Sequence, residues 1–318
     1  MKKRKIWMIV ASIFLLFGVA VFVTVMSING WDFTKLSTVQ YEENVHEITQ
    51  EFDSVSLHTD TSDVKVLLAS DNKCKVVCYE EEKLTHAVGV VDGTLVINET
   101  NRKEWTDYIG LSFEKTQVTV YLPQTAYTTL GIKASTSDVE IAKDFTFQSV
   151  DIEVSTGDVK CLASVSGALK ITTSTGDVKV EGATAGGLDV TTSTGDIRVK
   201  DVSCENLSVV VSTGDATLEN VRCENLVSRG STGEMEMSNV IATGKMSIQR
   251  DTGDVEFVAC DAAEIWIKTN TGDVEGSLLS PKTFVTDSGT GDVRVPQLGA
   301  GGRCEIKTST GDIEISIR

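Results

Sequence analysis

The residues of this sequence best suited to chemistry are carboxylates that follow a glycine at regular intervals. The motif T-G-[DE] occurs nine times, with Asp after the glycine in eight copies and Glu234 in the ninth. The motif glycines lie 19 or 20 residues apart. Such a carboxylate could ligate a metal, act as a general acid or base, or hold a turn by accepting backbone hydrogen bonds. The regular spacing indicates that one structural unit is repeated.

Apolar residues alternate with polar ones on both sides of each motif. Around Gly176, for example, the apolar positions are Leu169, Ile171, Val178 and Val180. Period-two alternation is typical of half-buried β-strands, so each unit contains two short strands. A unit of 19 residues cannot bury its apolar face alone, whereas stacked units can. The pattern predicts an all-β fold, a parallel β-solenoid or β-helix of 19-residue rungs. An antiparallel barrel or long meander is the alternative.

In such a solenoid the T-G-D residues are expected to form a turn at one corner of every rung. Glycine adopts positive φ at no steric cost, and Asp side chains accept hydrogen bonds from nearby turn N–H groups. Weaker copies of the motif, with Ser62 and Ser137 in place of glycine, lie upstream. The predicted turn residues are Gly157, Asp158, Gly176, Asp177, Gly195, Asp196, Gly214, Asp215, Gly253, Asp254, Gly272, Asp273, Gly291, Asp292, Gly311 and Asp312.

Stacking would place the carboxylates above one another, and their neighbours change along the chain. Lys160, Lys179 and Arg198 lie two residues after the first three aspartates, whereas later units carry mostly glutamates there. The uncompensated residues are Glu234, Glu236, Asp254, Glu256, Asp273 and Glu275. Oxygen-rich carboxylate arrays suit Ca²⁺, so weak calcium binding or a basic partner is a hypothesis for this patch. No other cofactor is predicted.

The other reactive residue types do not form a catalytic motif in the sequence. His46, His58 and His86 lie outside the regular repeat, and no phosphate loop or zinc-type spacing is present. Intervals of 19 or 20 residues leave no room for the long loops of a polysaccharide-active β-helix enzyme, which is the enzymatic alternative. The sequence therefore predicts a protein that is not an enzyme, without catalytic residues.

Two further groups of residues could make contacts beyond the turns. Cys204 and Cys223 each begin a C-E-N-L segment, one rung apart, where stacking would bring them within disulfide range. An exposed tryptophan on an outward lane is a candidate contact for a protein or cell-wall glycan partner. Packing against a neighbouring segment is the alternative. The predicted lane contains Val210, Val227, Trp266 and Val285.

The charge and the N-terminal segment indicate where the chain acts. A net charge of −17 argues against nucleic acid as a partner. Residues 6–28 contain no charge and follow four cations, which predicts a single-pass transmembrane helix with the C-terminal domain outside the cell membrane. A cleaved signal peptide is the alternative. The predicted segments are a cytoplasmic tail (1–5), the helix (6–28), a polar tether (29–51), an irregular β portion with a cap and the first rung (52–130), and the regular solenoid (131–318).

The chain resembles a bacterial β-strand-repeat family of unknown function often labelled "putative adhesin". The resemblance rests on the S-T-G-D-V-K-V type repeat, the N-terminal apolar segment and the irregular β segment that ends at Val120–Pro123. It implies an envelope-associated β-solenoid and brings no catalytic residues. The predicted function is a structural or adhesin-like binding role at the cell envelope. The alternatives are a scaffold or sensor accessory to another membrane protein, and a weakly calcium-binding solenoid.

Overall fold

The computed structural model describes residues 2–32, 39–108, 114–297 and 301–318. A 3-10 helix spans Trp105–Tyr108. The other elements are α1 (Lys2–Ile28), β1 (Tyr41–Ile48), β2 (Ser54–Thr59), β3 (Asp63–Leu68), β4 (Cys74–Glu81), β5 (Leu84–Val91), β6 (Thr94–Asn101), β7 (Gln117–Leu122), β8 (Ala126–Thr136), β9 (Val139–Ile141), β10 (Thr146–Thr156), β11 (Val159–Cys161), β12 (Ser164–Thr175), β13 (Val178–Glu181), β14 (Thr184–Thr194), β15 (Ile197–Lys200), β16 (Ser203–Thr213), β17 (Ala216–Glu219), β18 (Arg222–Cys223), β19 (Asn225–Thr232), β20 (Met235–Ser238), β21 (Ile241–Thr252), β22 (Val255–Thr271), β23 (Val274–Leu278), β24 (Lys282–Ser288), β25 (Val293–Arg294), β26 (Gly302–Thr310) and β27 (Ile313–Ile317).

Each regular rung has a long strand before the turn and a short strand after it. Both strands pair in parallel with their counterparts in the next rung, as β12 does with β14 and β13 with β15. Leu169 lies opposite Leu188, and Ile171 lies opposite Val190. These four side chains are at most 2% exposed, because parallel pairing in register stacks equivalent residues into continuous apolar ladders. The predicted parallel β-solenoid is confirmed, and the antiparallel alternative is wrong.

The last two rungs stack in the reverse of their chain order. Strand β26 pairs in parallel with β22 on one side and with β24 on the other. Strand β27 likewise lies between β23 and β25. The final rung of the chain is therefore inserted between the rungs that contain Gly272 and Gly291. Among the described residues, β24 and β25 have no partner strand on their outer side and form the end of the stack.

The N-terminal end uses the same kind of insertion. Strand β2 lies between β6 and β8, and β3 lies between β7 and β9. Beyond them, β7 pairs antiparallel with β4, and β4 pairs antiparallel with β1. Strands β5 and β6 form a hairpin, in which Asp92 and Gly93 have φ of 48° and 75°, as a two-residue primed turn requires. These antiparallel strands cover an edge that would otherwise accept another chain.

The polar tether predicted for residues 29–51 is wrong over Tyr41–Ile48. That segment forms β1, in which Val45 lies opposite Val77 of β4. The edge of β4 offers backbone N–H and C=O groups that need partners, and β1 supplies them even though most of its side chains are polar. Residues 33–38 of the predicted tether lie outside the described residues.

The N-terminal helix α1 carries an apolar stretch from Ile6 to Ile28 with a mean hydropathy of 2.8. This stretch is long and apolar enough to cross a bilayer, and its side chains are exposed except that of Met26, which is buried. A signal sequence at the N-terminus would share these properties. The helix therefore indicates membrane association or export.

Candidate functional site

The glycine of each T-G-[DE] motif is required by its own backbone and by the adjacent rung. The nine motif glycines have φ between 129° and 151°, a region that residues with a Cβ rarely adopt. A Cβ on Gly176 would also overlap the carbonyl oxygen of Gly157 in the neighbouring rung. Glycine is therefore needed for steric reasons at this corner of each rung that carries the T-G-[DE] motif.

The motif aspartates join neighbouring rungs rather than closing their own turns. The Asp177 N–H donates to Oδ1 of Asp158 at 2.8 Å, and the Asp196 N–H donates to Oδ1 of Asp177 at 2.8 Å. Hydrogen bonds from an amide to a carboxylate are charge-assisted and stronger than neutral ones. Each Asp thus holds the turn of the next rung. Equivalent bonds join Asp63 to Asp138, Asp138 to Asp158, Asp196 to Asp215, Asp215 to Glu234, Asp254 to Asp273, Asp273 to Asp312, and Asp312 to Asp292.

Glu234 interrupts this aspartate ladder. Its N–H donates to Oδ1 of Asp215 at 2.8 Å. Within residues 114–297, however, no hydrogen bond links the Asp254 N–H to the Glu234 carboxylate, which stands one methylene further from its backbone. The negative charge of Asp215, then burial, and then the charges of Asp254, Glu236 and Glu256 raise the pKa of Glu234. The rung that contains Glu234 therefore has both a missing bond and crowded negative charge.

The carboxylates near Glu234 form a continuous acidic face across four stacked rungs. Glu236 lies opposite Glu256, Glu256 opposite Glu275, and Glu275 opposite Glu314. Chain order would have placed Arg294 next to Glu275, but the inserted final rung places Glu314 there. Calcium binding at this surface stays a prediction. The acidic face consists of Glu234, Glu236, Asp254, Glu256, Asp273, Glu275, Asp312 and Glu314.

The long strands of the same four rungs carry a basic face. Its lanes four, six and eight residues before the motif glycines have five cations and two carboxylates, a net charge of +3, and exposed Asp251 lies in the next lane. The acidic face has eight carboxylates, a charge of −8. Glu305 pairs with Arg303 at 2.8 Å and with Lys307 at 2.7 Å. The basic face consists of Asn225, Val227, Arg229, Lys245, Ser247, Gln249, Glu264, Trp266, Lys268, Arg303, Glu305 and Lys307.

The predicted apolar lane is wrong for Val210. The register places Val210 opposite Arg229, two residues closer to the turn than the lane of Trp266. Trp266 is half-buried rather than exposed, while Val285 is 41% exposed. Residues of different rungs stack when they stand at the same distance from their motif glycines. Val227, Trp266 and Val285 stand six residues before theirs, whereas Val210 stands four residues before Gly214. The lane of Trp266 runs in the order Ser208, Val227, Ser247, Trp266, Glu305 and Val285.

A groove on the basic face runs beside Trp266. It is lined by Ser228, Arg229, Lys245, Ser247, Gln249 and Trp266. Lys268 lies opposite Gln249 at the edge of the groove. In residues 114–297 and 301–318, no carboxylate pairs with Arg229, Lys245 or Lys268. The groove therefore combines an aromatic wall with hydroxyl and amide groups and free positive charge.

A buried arginine lies beneath this groove. Arg250 is 2% exposed, and its Nη2 donates to Ser228 Oγ and to Met235 Sδ, both at 3.1 Å. Its Nη1 donates to the carbonyl oxygen of Gln249 at 3.2 Å. No carboxylate among residues 114–297 pairs with the guanidinium. Burial lowers the pKa of Arg250 to about 10, against an opposing effect of Asp215, so the side chain is charged at neutral pH.

Two small residues make room for Arg250. Gly230 lies opposite Arg250 in the neighbouring rung, and a Cβ there would lie 2.7 Å from Arg250 Nη1. Ser228 stands in a largely apolar ladder, between Val209 and Ile248. Ser228, Gly230 and Arg250, which each depart from the repeat, thus lie next to one another. Sequence reasoning missed Arg250, although it is the only charged residue three positions before a motif glycine.

The N-terminal cap contains a second polar cluster. His86 Nδ1 lies 2.7 Å from Glu80 Oε2, and His86 Nε2 lies 3.2 Å from Thr59 Oγ1, which donates to Glu99 Oε2 at 2.8 Å. Donor atoms of Cys78, Glu80 and His86 lie within 4.8 Å of one another. The fold gathers these residues from β2, β4, β5 and β6, so no local spacing in the sequence marks the cluster.

The protonated Cys78 thiol and the hydrogen bonds of His86 make this cluster a poor metal site. Burial raises the pKa of Glu80, but hydrogen bonds from His86 and Asn44 outweigh it, so the pKa lies below its ordinary value. Burial, together with the nearby Glu80, raises the pKa of the Cys78 thiol to about 12. A thiol ligates a metal as the thiolate, and His86 is already bonded on both ring nitrogens. The cluster is best described as a hydrogen-bonded connection between the strands of the cap.

The predicted disulfide between Cys204 and Cys223 is not formed in the structure. All seven cysteines are free thiols, and these two follow the paired residues Ser203 and Arg222 of adjacent rungs. Burial raises the pKa of Cys204 to about 11 and, with Cys204 nearby, that of Cys223 to about 12. Because the thiolate is the species that forms a disulfide, these raised pKa values disfavour the bridge near neutral pH.

Three solved structures are similar to this chain over most of its length. A "putative adhesin" from Bacteroides fragilis NCTC 9343 is 14% identical, with 87% of this chain and 97% of that chain covered and a TM-score of 0.41. A "putative lipid binding protein" from Parabacteroides distasonis ATCC 8503 is 15% identical, with 86% and 97% covered and a TM-score of 0.48. A "putative adhesin" from Parabacteroides merdae ATCC 43184 is 15% identical, with 74% and 96% covered and a TM-score of 0.48.

A comparison with curated proteins finds no match. The model of one protein family, by contrast, matches residues 52–228 and 203–318, which together include strands β2 to β27 and every T-G-[DE] rung. This match covers well over half of the chain, and the chain therefore belongs to the Toastrack DUF4097 family.

Proposed function

We propose that this protein is a membrane-anchored, extracytoplasmic solenoid that binds a component of the bacterial cell envelope in an adhesin-like role. The observation that carries the proposal is a single apolar helix, α1, joined to a solenoid whose faces differ in charge. The helix holds the chain at the membrane, and Lys2, Lys3, Arg4 and Lys5 favour an outward-facing solenoid. Stacked rungs present long continuous surfaces, which suit a polymer or a protein better than a small substrate.

Binding is favoured over catalysis by the burial of the residues that resemble a catalytic relay. Glu80, His86 and Thr59 are hydrogen-bonded in series, but Thr59 is 0% exposed and its hydroxyl already donates to Glu99. A nucleophile or general base has to reach the substrate atom on which it acts. This relay therefore holds the cap together rather than acting on a substrate.

The acidic face favours a second candidate function, an accessory to another membrane protein. Its eight carboxylates attract a basic protein surface and repel an acidic one. The two candidate functions differ in which face makes the contact. Association that depends on the basic face supports the envelope-binding role, and association that depends on the acidic face supports the accessory role.

An exchange of the membrane segment tests the proposal. In one strain the full-length chain is expressed, and in a second strain a cleavable secretion signal replaces α1. We expect extracellular protease to degrade the full-length protein on intact cells. We expect the exported solenoid to stay with washed cell envelopes and to be released by high salt, since salt screens surface charge. Protection from protease, or complete loss of the exported solenoid to the medium, would contradict the proposal.

A further inference from the structure

We infer that the groove beside Trp266 is a binding site for an acidic polysaccharide. The inference rests on the proposed function, because it names the chemical class of the envelope component that the solenoid binds. It goes further by assigning the contact to one groove on one face. The anionic groups of such a polymer are carboxylates or phosphates.

The first argument is the segregation of charge. The whole chain carries −17, yet the basic face carries +3, and it lies on the same four rungs as an acidic face of −8. Arg229, Lys245 and Lys268 have no carboxylate partner among residues 114–297 and 301–318. Most other lysines of the solenoid pair with carboxylates, as Lys160 does with Glu140 at 2.8 Å and Lys200 with Glu219 at 2.9 Å. The clustering of three such cations at one groove therefore marks a place where an anion is attracted.

The second argument is the spacing of the cations along the stack. Arg229, Lys245, Lys268 and Lys307 lie on four successive rungs, in the spatial order of the paired strands. Rungs are about 4.8 Å apart, so at least one cation recurs at that interval along the axis of the solenoid. A linear polyanion that runs along the axis can meet a cation at every rung. A single small anion could use only one or two of them.

The third argument is the aromatic wall of the groove. Trp266 is half-buried, so its indole is held by the rung while one side borders the groove. A rigid aromatic face packs against the apolar C–H face of a sugar ring. Ser247 and Gln249 line the same groove and offer hydrogen bonds to sugar hydroxyls. This combination favours a polysaccharide over a lipid surface, which offers no rings to stack.

The fourth argument is Arg250 beneath the groove. Its guanidinium is buried without a carboxylate, and it donates to Ser228, which also lines the groove. An unpaired buried charge is unfavourable for folding, so such residues concentrate where they serve another purpose. Arg250 adds a fixed positive charge from below, where water screens it little. The groove thus combines mobile surface cations with one held in place.

A fluorescence titration of the full-length protein in neutral detergent micelles tests the inference. The chain has four tryptophans, and replacing Trp7, Trp31 and Trp105 by Phe leaves Trp266 as the sole indole. The probes are an oligogalacturonate, a phosphomannan and a neutral malto-oligosaccharide. We expect a saturable change in Trp266 fluorescence with at least one acidic probe and none with the neutral one. We also expect the affinity to fall as salt is raised.

Matched variants locate the site by calorimetry. Trp266→Ala, Lys245→Gln and Lys268→Gln are each expected to weaken binding about tenfold. Lys170→Gln is the control, since Lys170 stands at the same distance from its motif glycine as Trp266 but outside the groove, close to Asp151 and Glu153. Circular dichroism of each variant checks that the solenoid is folded.

Several outcomes would overturn the inference. They are a lack of binding to both acidic probes, equal binding of the neutral probe, or an equal effect of Lys170→Gln and Lys245→Gln. Capture by anionic lipid vesicles without binding to either acidic polysaccharide would also overturn it. If the exported solenoid stays on cell envelopes while these probes fail, only the inference falls. If the probes bind but the exported solenoid is lost to the medium, only the proposed function falls.

Discussion

Gly230 and Arg250 lie opposite each other on the inward side of neighbouring rungs, and a Cβ on Gly230 would lie 2.7 Å from Arg250 Nη1. The glycine is therefore a steric counterpart of the arginine. Because Ser228 accepts a hydrogen bond from the same guanidinium at 3.1 Å, the core is adapted around one buried charge. This adaptation lies directly beneath the groove of the basic face.

Gly230→Ala should destabilise the solenoid by about 1–3 kcal/mol, since the added methyl group overpacks a filled core. The double variant Gly230→Ala, Arg250→Met should recover part of this loss, because the Val211 carbonyl oxygen still lies 3.0 Å from the new Cβ. Denaturant unfolding measures both changes. Gly187→Ala is the control, since nothing lies within 4 Å of a Cβ there. Equal effects of the two alanine substitutions would show that Arg250 does not confine Gly230.

The Arg250→Met variant distinguishes a role of Arg250 in stability from a role in binding. A hydrophobic residue of similar length in place of a buried charge should leave stability unchanged or raise it by about 1 kcal/mol. Affinity for the acidic probe should fall because the fixed charge under the groove is lost. Thermal unfolding and calorimetry measure the two effects. A large loss of stability would instead assign Arg250 a structural role.

Glu234→Asp should stabilise the solenoid. The shorter side chain can accept the Asp254 N–H and so restore the missing bond of the aspartate ladder, a gain of about 0.5–1.5 kcal/mol. Melting temperature measures the gain. Glu236→Asp is the control, because Glu236 stands two residues after Glu234 and outside the ladder. The explanation fails if both substitutions have the same effect.

Glu256→Gln should stabilise the solenoid at low ionic strength. Glu256 lies between Glu236 and Glu275, and removing its charge relieves repulsion worth roughly a few tenths of a kcal/mol on each side. Added salt should erase the gain, since it screens exposed charges. Glu140→Gln provides the comparison and should not stabilise, because Glu140 pairs with Lys160 at 2.8 Å. A gain that persists at high salt would argue against repulsion as the cause.

Glu80 should make the stability of the cap depend on pH. The pKa of Glu80 is lowered in the folded protein from an ordinary value of 4.5. A lowered carboxyl pKa stabilises the fold above the unfolded pKa, and this stabilisation is lost as the pH falls through the folded pKa. Glu80→Gln should therefore lower the melting temperature at neutral pH, and its difference from the parent should shrink in acid. Exposed Glu82→Gln should change little at any pH. A constant deficit across the pH range would point to packing instead.

The repeat was predictable because its information is local. A glycine with positive φ, flanked by period-two apolar columns, indicates the same pair of strands in every copy, and Asp92-Gly93 marks a hairpin for equally local reasons. Strand β1 was missed because its polar side chains do not indicate burial, and what orders it is the free edge of β4. The sequence predicted that the motif aspartates hold turns, but not which turns they hold. They do hold the turns, but the amide that each one binds belongs to the next rung.

The sequence alone predicts the rung and its turn, but it leaves a parallel and an antiparallel arrangement of the rungs open. It did not determine which rung stacks on which. The rungs present similar apolar columns, so any two can stack, and the position of β26 between β22 and β24 is set by the folded chain. That choice sets Glu314 beside Glu275 and Glu305 beside Trp266. Identical local interactions fix a repeating unit, whereas the neighbours of each unit depend on the path of the whole chain.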